Sequence, residues 1–248
     1  EGTILLKDLG IDKTLWDLNA WHFFNNDLYF PTFTEEHGNE LWRTDGTIRG
    51  TSIAKDIGYG QTKVQKGPIV SNGNDVFYSM KKTWYGELDG IVSEHTEQEL
   101  WKTDAVTMRS SKVSQWKYPK NRLAKIITVE GGQYWWREHE FRSGEYQLDF
   151  YDYQSEEVTP VIADILGQCA NYDMSNRKMA IVGKKYFFQA PVVNGDLWSC
   201  QLWVSDGTTD GTMPITDLPK TSSNGEVIGN IVVYQDEVYF SLIVQVDE

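Results

Sequence analysis

Residues 40–57 read ELWRTDGTIRGTSIAKDI, and residues 201–218 read QLWVSDGTTDGTMPITDL. Two weaker copies follow the same plan: ELWKTDAVTMRSSKVSQW at 99–116 and QLDFYDYQSEEVTPVIADI at 147–165. Self-similarity of this kind decides the fold before any single residue does, because each copy is one supersecondary unit that needs its neighbours to bury a face. In the two strong copies the ELW or QLW segment is a strand with Leu41 or Leu202 on one face. Asp45-Gly46 and Asp206-Gly207 then reverse the chain. Glycine supplies left-handed backbone there, while the Asp carboxylate and the Thr hydroxyl accept turn N–H groups. The copy at 99–116 has Ala105 in place of the glycine, so its turn is expected to differ and the second blade to be irregular.

A second element precedes each copy, a polar turn followed by paired aromatics. It occurs at Asn26-Asp27-Leu28-Tyr29-Phe30, Asn74-Asp75-Val76-Phe77-Tyr78, Gly132-Gln133-Tyr134-Trp135, Lys184-Lys185-Tyr186-Phe187-Phe188 and Asp236-Glu237-Val238-Tyr239-Phe240. The anchors Phe30, Tyr78, Trp135, Phe188 and Phe240 are 48, 57, 53 and 52 residues apart. That period is too long for one hairpin and suits a four-stranded antiparallel sheet with short turns. Apolar runs such as Trp21–Phe24 and Ile231–Tyr234 supply the first strand of each sheet. The expected fold is therefore all-β, a single five-bladed β-propeller over residues 1–248. Its four-stranded antiparallel blades lie near 18–58, 67–116, 123–166, 178–218, and 228–248 together with 1–10.

The ends carry the closure. Gly2-Thr3-Ile4-Leu5-Leu6-Lys7-Asp8-Leu9-Gly10 aligns with Gly50-Thr51-Ser52-Ile53-Ala54-Lys55-Asp56-Ile57-Gly58, so the N-terminal residues read as a fourth strand that joins the last blade. Pairing strands from both ends removes two exposed sheet edges. The fifth blade is then short by about ten residues, the length of one third strand, which is absent, cleaved, left unresolved, or donated by another chain. Glu1 falls inside the pattern, so a mature or trimmed chain is expected, with any targeting signal out of view.

The ELWxxDGTxxGT copies resemble the bacterial repeat of that name, found in large secreted or surface-attached proteins of propeller-like architecture. The resemblance implies a secreted or cell-surface location. It carries no catalytic residue, because the motif builds turns and strands and a fold does not fix a function.

Composition narrows the partners. The formal net charge is −13. Such a surface repels phosphate backbones and anionic headgroups, which excludes general nucleic-acid or membrane-surface binding. No apolar run approaches the length of a membrane-spanning helix. Aromatics are 13% of the chain, including ten Trp, in keeping with half-buried strands.

The connections between fourth and first strands, with those between second and third, form one irregular face on which aromatics recur. Trp16, Tyr59, Trp116, Tyr118 and Tyr172, with Asp17, Asn171 and Asp173 beside them, are the candidate ligand-binding residues. Rings on loops stack on sugars or anchor a protein partner. The alternative is that they pack over blade edges. Glu36-His37, Glu94-His95 and Glu138-His139 fall between second and third strands of successive blades. Three converging imidazoles would make a transition-metal site. However, His37, His95 and His139 stand at 7, 17 and 4 residues from their aromatic anchors, so surface histidines are expected and no metal or other cofactor is assigned. Calcium or a transition metal is the alternative. No catalytic signature is present, and among the inner strands Glu130 alone offers a carboxylate, one too few for two-carboxylate glycosidase chemistry. Cys169 and Cys200 are spaced for a disulfide or two buried thiols rather than for zinc or redox work.

The sequence thus points to a secreted, non-enzymatic recognition or adhesion module that binds glycans or a protein partner through the irregular face. The rivals are a secreted glycosidase-like enzyme or metal-binding protein that uses the central channel, and a structural subunit of a larger surface assembly.

Overall fold

A computed structural model describes residues 3–9, 21–34, 36–55, 65–88, 91–118, 122–138, 145–166, 179–194, 197–218 and 228–242. All its regular elements are strands, and they form successive meanders. The first sheet contains β1 (His22–Phe24), β2 (Asp27–Thr34), β3 (Gly38–Thr44) and β4 (Ser52–Lys55). The second contains β5 (Gln65–Ser71), β6 (Asp75–Leu88), β7 (Ile91–Asp104) and β8 (Ser110–Tyr118). The third is built from β9 (Arg122–Val129), β10 (Gly132–Glu138), β11 (Glu145–Asp152) and β12 (Val158–Leu166). The fourth is built from β13 (Met179–Val182), β14 (Lys185–Asn194), β15 (Leu197–Ser205) and β16 (Met213–Pro214). The fifth holds only β17 (Ile228–Tyr234) and β18 (Glu237–Leu242). No helix of the described residues is long and apolar enough to cross a membrane.

The chain divides into two compact units, Glu1–Leu123 and Ala124–Glu248. The first carries two sheets and the second the remaining three, the division falling inside β9. In the first unit the core lies between its two sheets, where Tyr29, Leu41 and Ala54 meet Val76, Tyr78 and Met80. In the second unit Tyr134, Trp136, Leu148 and Phe150 of the third sheet pack on Tyr186, Phe188 and Ala190 of the fourth. Ala180 and Leu202 in turn meet Ile228 and Ile231 of the fifth. Within each unit a sheet buries an apolar face against the next sheet in sequence, as repeat architectures do.

One register runs through all four complete sheets. Phe30 stands opposite Trp42, Tyr78 opposite Trp101, Trp135 opposite Asp149 and Phe188 opposite Trp203. The following residue, Pro31, Ser79, Trp136 or Gln189, stands opposite Leu41, Leu100, Leu148 or Leu202. Each of these leucines is at most 2% exposed. The leucine of the motif is thus its core residue, placed by a strand whose period-2 alternation sends the flanking side chains to the other face.

The DGT turn explains the rest of the motif. Asp45 accepts hydrogen bonds from the Thr47 N–H at 2.8 Å and the Thr47 hydroxyl at 2.7 Å. Thr47 Oγ1 accepts from the Gly50 N–H at 2.9 Å, and the Thr51 hydroxyl donates to the Thr47 carbonyl at 2.6 Å. Asp206, Thr208, Gly211 and Thr212 repeat every one of these bonds. Gly46 and Gly207 sit at φ of 85° and 94°, in the left-handed region where a side chain is strained. A Cβ on Gly50 or Gly211 would overlap the Asp45 or Asp206 carboxylate, so the second glycine of the motif is required by a side chain rather than by its own backbone.

The structure bears on three sequence expectations. The fifth sheet has two strands, residues 3–9 belong to no strand, and no sheet closes among the described residues. The second sheet has the altered turn that Ala105 implied, and its β5–β6 and β7–β8 ladders each carry a register shift, while β6 and β7 pair without one over fourteen residues each. Trp116 and Tyr118, expected on a loop, lie in β8 opposite Gln98 and Thr96, because the ladder continues past the end of the motif.

Candidate functional site

The second unit contains an open cleft of about 620 Å³ lined by Glu130, Gly131, Asp152, Tyr153, Gln154 and Lys184. Three turns build it. The β9–β10 turn places Gly131 at φ 76°, and the Gly131 carbonyl accepts from the Tyr153 N–H of the β11–β12 turn at 3.0 Å. The Glu130 N–H donates to the Gly183 carbonyl of the β13–β14 turn at 3.3 Å, which ties the third sheet to the fourth. Lys184 Nζ stands 3.7 Å from Asp152 Oδ2 and 4.8 Å from the centre of the Phe150 ring.

Asp152 is committed within this arrangement. Its Oδ1 accepts from the Gln154 N–H at 2.9 Å and the Ser155 N–H at 3.0 Å. The Ser155 N–H above all, then the Gln154 N–H and the Lys184 ammonium, hold its carboxyl below the ordinary value of 3.8. A carboxylic acid that serves as proton donor near neutral pH needs the opposite shift. Asp152 thus stands as an anion beside Lys184 in the cleft. Glu130, read from the sequence as an inner-strand carboxylate, lies instead in the exposed β9–β10 turn because β9 ends at Val129.

Of the three candidate histidines, only His37 has a described side-chain environment. His37 lies in the β2–β3 connection, where its backbone N–H donates to Thr34 Oγ1 at 3.2 Å and its ring stands 3.6 Å from the Glu36 carboxylate. His95 is opposite Trp84 within the β6–β7 hairpin, and His139 lies outside the described residues. Among the described residues no group of three or more His, Cys, Asp or Glu side chains is placed to hold a metal ion. His22 bonds through Nε2 to Ser71 Oγ at 3.0 Å, joining β1 to β5, and burial lowers its pKa.

Trp16, Asp17, Tyr59, Asn171, Tyr172 and Asp173 also lie outside the described residues. Cys200 is buried in β15 and disulfide-bonded. The chain's only other cysteine, Cys169, is outside the described residues. Sequence reading missed the Asp152–Lys184 pair, since both residues pass there as ordinary turn formers. A sharper signal was available, because Lys184 and Asp152 occupy turn positions of consecutive copies.

No family model matches the chain, and no curated protein matches it. Among solved structures, one of oligogalacturonate lyase in complex with manganese aligns at 11% identity over 77% of this chain and 62% of that one, with a TM-score of 0.29. The chain thus spans less than two thirds of that structure's length.

Proposed function

We propose that this chain is a non-enzymatic recognition module, secreted or displayed at a cell surface, that binds glycans or a protein partner through the connections between second and third strands. The observation that carries this reading is the β6–β7 hairpin. β5 reaches only Lys81 and β8 only Thr96, whereas the β6–β7 ladder continues to the Leu88–Ile91 pair. The outer part of the hairpin is therefore a two-stranded ribbon without lateral neighbours in its sheet. Such a ribbon is marginal in water by itself and gains from a partner. The turns at the opposite end of the sheets are short, and their Asp carboxylates are already engaged by turn N–H groups.

The proposed scaffold is a five-bladed propeller closed by residues 1–10. Its support is a repeated contact within the first unit. Lys55 Nζ lies 4.9 Å from the Trp101 ring centre, and Lys7 Nζ lies 5.4 Å from that of Trp42. Lys7 aligns with Lys55 and Trp42 with Trp101. Residues 3–9 thus sit against the first sheet as β4 sits against the second, which is the place of a preceding blade's outer strand.

A glycan array tests the binding face with three proteins: the unaltered chain, Trp116→Ala, and a variant with residues 83–96 replaced by Asn-Gly. The shortened hairpin keeps every pair that β5 and β8 need apart from the Thr96–Tyr118 end, so its melting temperature should stay within a few degrees. Loss of array binding in either variant supports the reading, and full retention in both removes it. An array that shows no binding by the unaltered chain removes the glycan half.

A further inference from the structure

β18 is the second strand of a sheet whose third strand is not among the described residues, and the other four sheets state what that strand must look like. Tyr239 of β18 is 48% exposed, whereas its equivalents Tyr29, Phe77 and Tyr134 are at most 1% exposed and Phe187 is half-buried. Leu242 is exposed, whereas its equivalents Thr32, Met80, Arg137 and Ala190 are all buried. Among the described residues β18 pairs with β17 alone, so no described ladder meets its outer N–H and C=O groups.

The common register puts Trp opposite the anchor in three of the four sheets and a leucine opposite the next residue in all four, and in β18 those positions are Phe240 and Ser241. The charge of the next position is also set. In the first sheet Asp27, three residues before the anchor, is matched by Arg43, with Nε 3.3 Å from Oδ2. In the second sheet Asp75 is matched by Lys102. Where the second strand begins with Gly132 or Lys185, the third strand carries the uncharged Phe150 or Val204. The fifth sheet has Glu237, which calls for a cation. Its carboxylate meanwhile accepts from its own strand's Tyr239 hydroxyl at 2.7 Å.

We infer that β18 is an acceptor for a third strand of the same repeat, with the pattern acid or Gln, Leu, Trp, Arg or Lys, Thr or Ser, Asp, added antiparallel to its outer edge. Main-chain bonds supply the affinity, while the leucine and the cation fix the register. The inference does not depend on the hairpin face proposed above, and the two fail separately.

The test uses the full chain and a fluorescein-labelled peptide with the sequence of residues 40–51, ELWRTDGTIRGT, read by anisotropy and by hydrogen exchange. Saturable binding is expected, with slowed exchange of the β18 amides. A peptide carrying Leu41→Asp should bind more than about tenfold more weakly, since it puts a carboxylate where a leucine is buried. A peptide carrying Arg43→Glu should lose about two- to fivefold and regain it on a Glu237→Lys protein, as expected for a single exposed pair. The inference falls if no saturable binding occurs, if Leu41→Asp has no effect, or if the charge exchange fails to restore affinity. It also falls if the outward-facing β18 amides, those not bonded to β17, are already protected in the free chain, which would place another segment on that edge.

Discussion

The turns of the first and fourth sheets and those of the second and third solve one problem in two ways. In all four an aspartate at the end of the third strand caps the turn. After Asp45 and Asp206 the strained residue comes at once, at Gly46 and Gly207. After Asp104 and Asp152 it comes four residues later, at Met108 and Glu156, with φ of 57° at both. Those two turns close identically: Met108 N–H donates to the Asp104 carbonyl, and Glu156 N–H to the Asp152 carbonyl. Moving the left-handed residue from the start of the turn to its end frees the chain from both glycines. The lesson is that loss of the DGT letters is not loss of the turn.

The largest test of this contrast uses the second glycine. Gly50→Ala and Gly211→Ala should each destabilise by about 2–3 kcal/mol, because the new Cβ displaces an Asp carboxylate. Arg109→Ala and Glu157→Ala, at the matching places of the other turns, should stay within about 0.5 kcal/mol in urea unfolding. Next comes a difference between the two DGT turns themselves. Gly46→Ala meets open space and should cost about 1 kcal/mol from its backbone alone. Gly207→Ala also meets the Phe150 ring and should cost more; equal losses would mean that the ring moves aside freely.

Smaller effects should have opposite signs. Glu156→Gly relieves a left-handed position and should stabilise by about 0.5–1 kcal/mol. Ala105→Gly frees the unfolded chain without relieving anything and should cost a similar amount. A gain from Ala105→Gly would show that the second sheet adopts the DGT turn in solution. The smallest effect is on acid stability. Turn bonds lower the carboxyls of Asp45, Asp104, Asp152 and Asp206 below 3.8 in the folded chain. The unfolded chain then binds more protons just below that value, so the contribution is full above it and is lost as pH falls through the lower folded values. Asp→Asn in either class of turn should flatten the decline of melting temperature below pH 4, only slightly because these groups are exposed and screened.

Much of the architecture was legible because it repeats. Leu41 and Leu202 announced the core position, and Tyr29 and Phe30 the strand that faces it. Ala105 announced a different turn, although not that Asp152 shares it, since a left-handed Met or Glu leaves no mark in composition. The length of the β6–β7 hairpin was hidden because Lys81–Leu88 has no alternation to separate a strand from a polar loop. The same blindness put Trp116 and Tyr118 on a loop, where the motif stopped but the ladder did not. The cleft escaped because Lys184 acquires its meaning from Asp152, about thirty residues earlier in another sheet, and such pairings are set by packing rather than by local pattern.

The lysine over the tryptophan has a consequence for how such a chain grows. Lys55 belongs to one copy and Trp101 to the next, so the copy at 40–57 brings Trp42 to the joint before it and Lys55 to the joint after it. A duplicated copy inserted between them would present its own Trp to Lys55 and its own Lys to Trp101. Nothing at the seam would be lost. The joint itself resists piecemeal substitution, because either half is useless without its neighbour's.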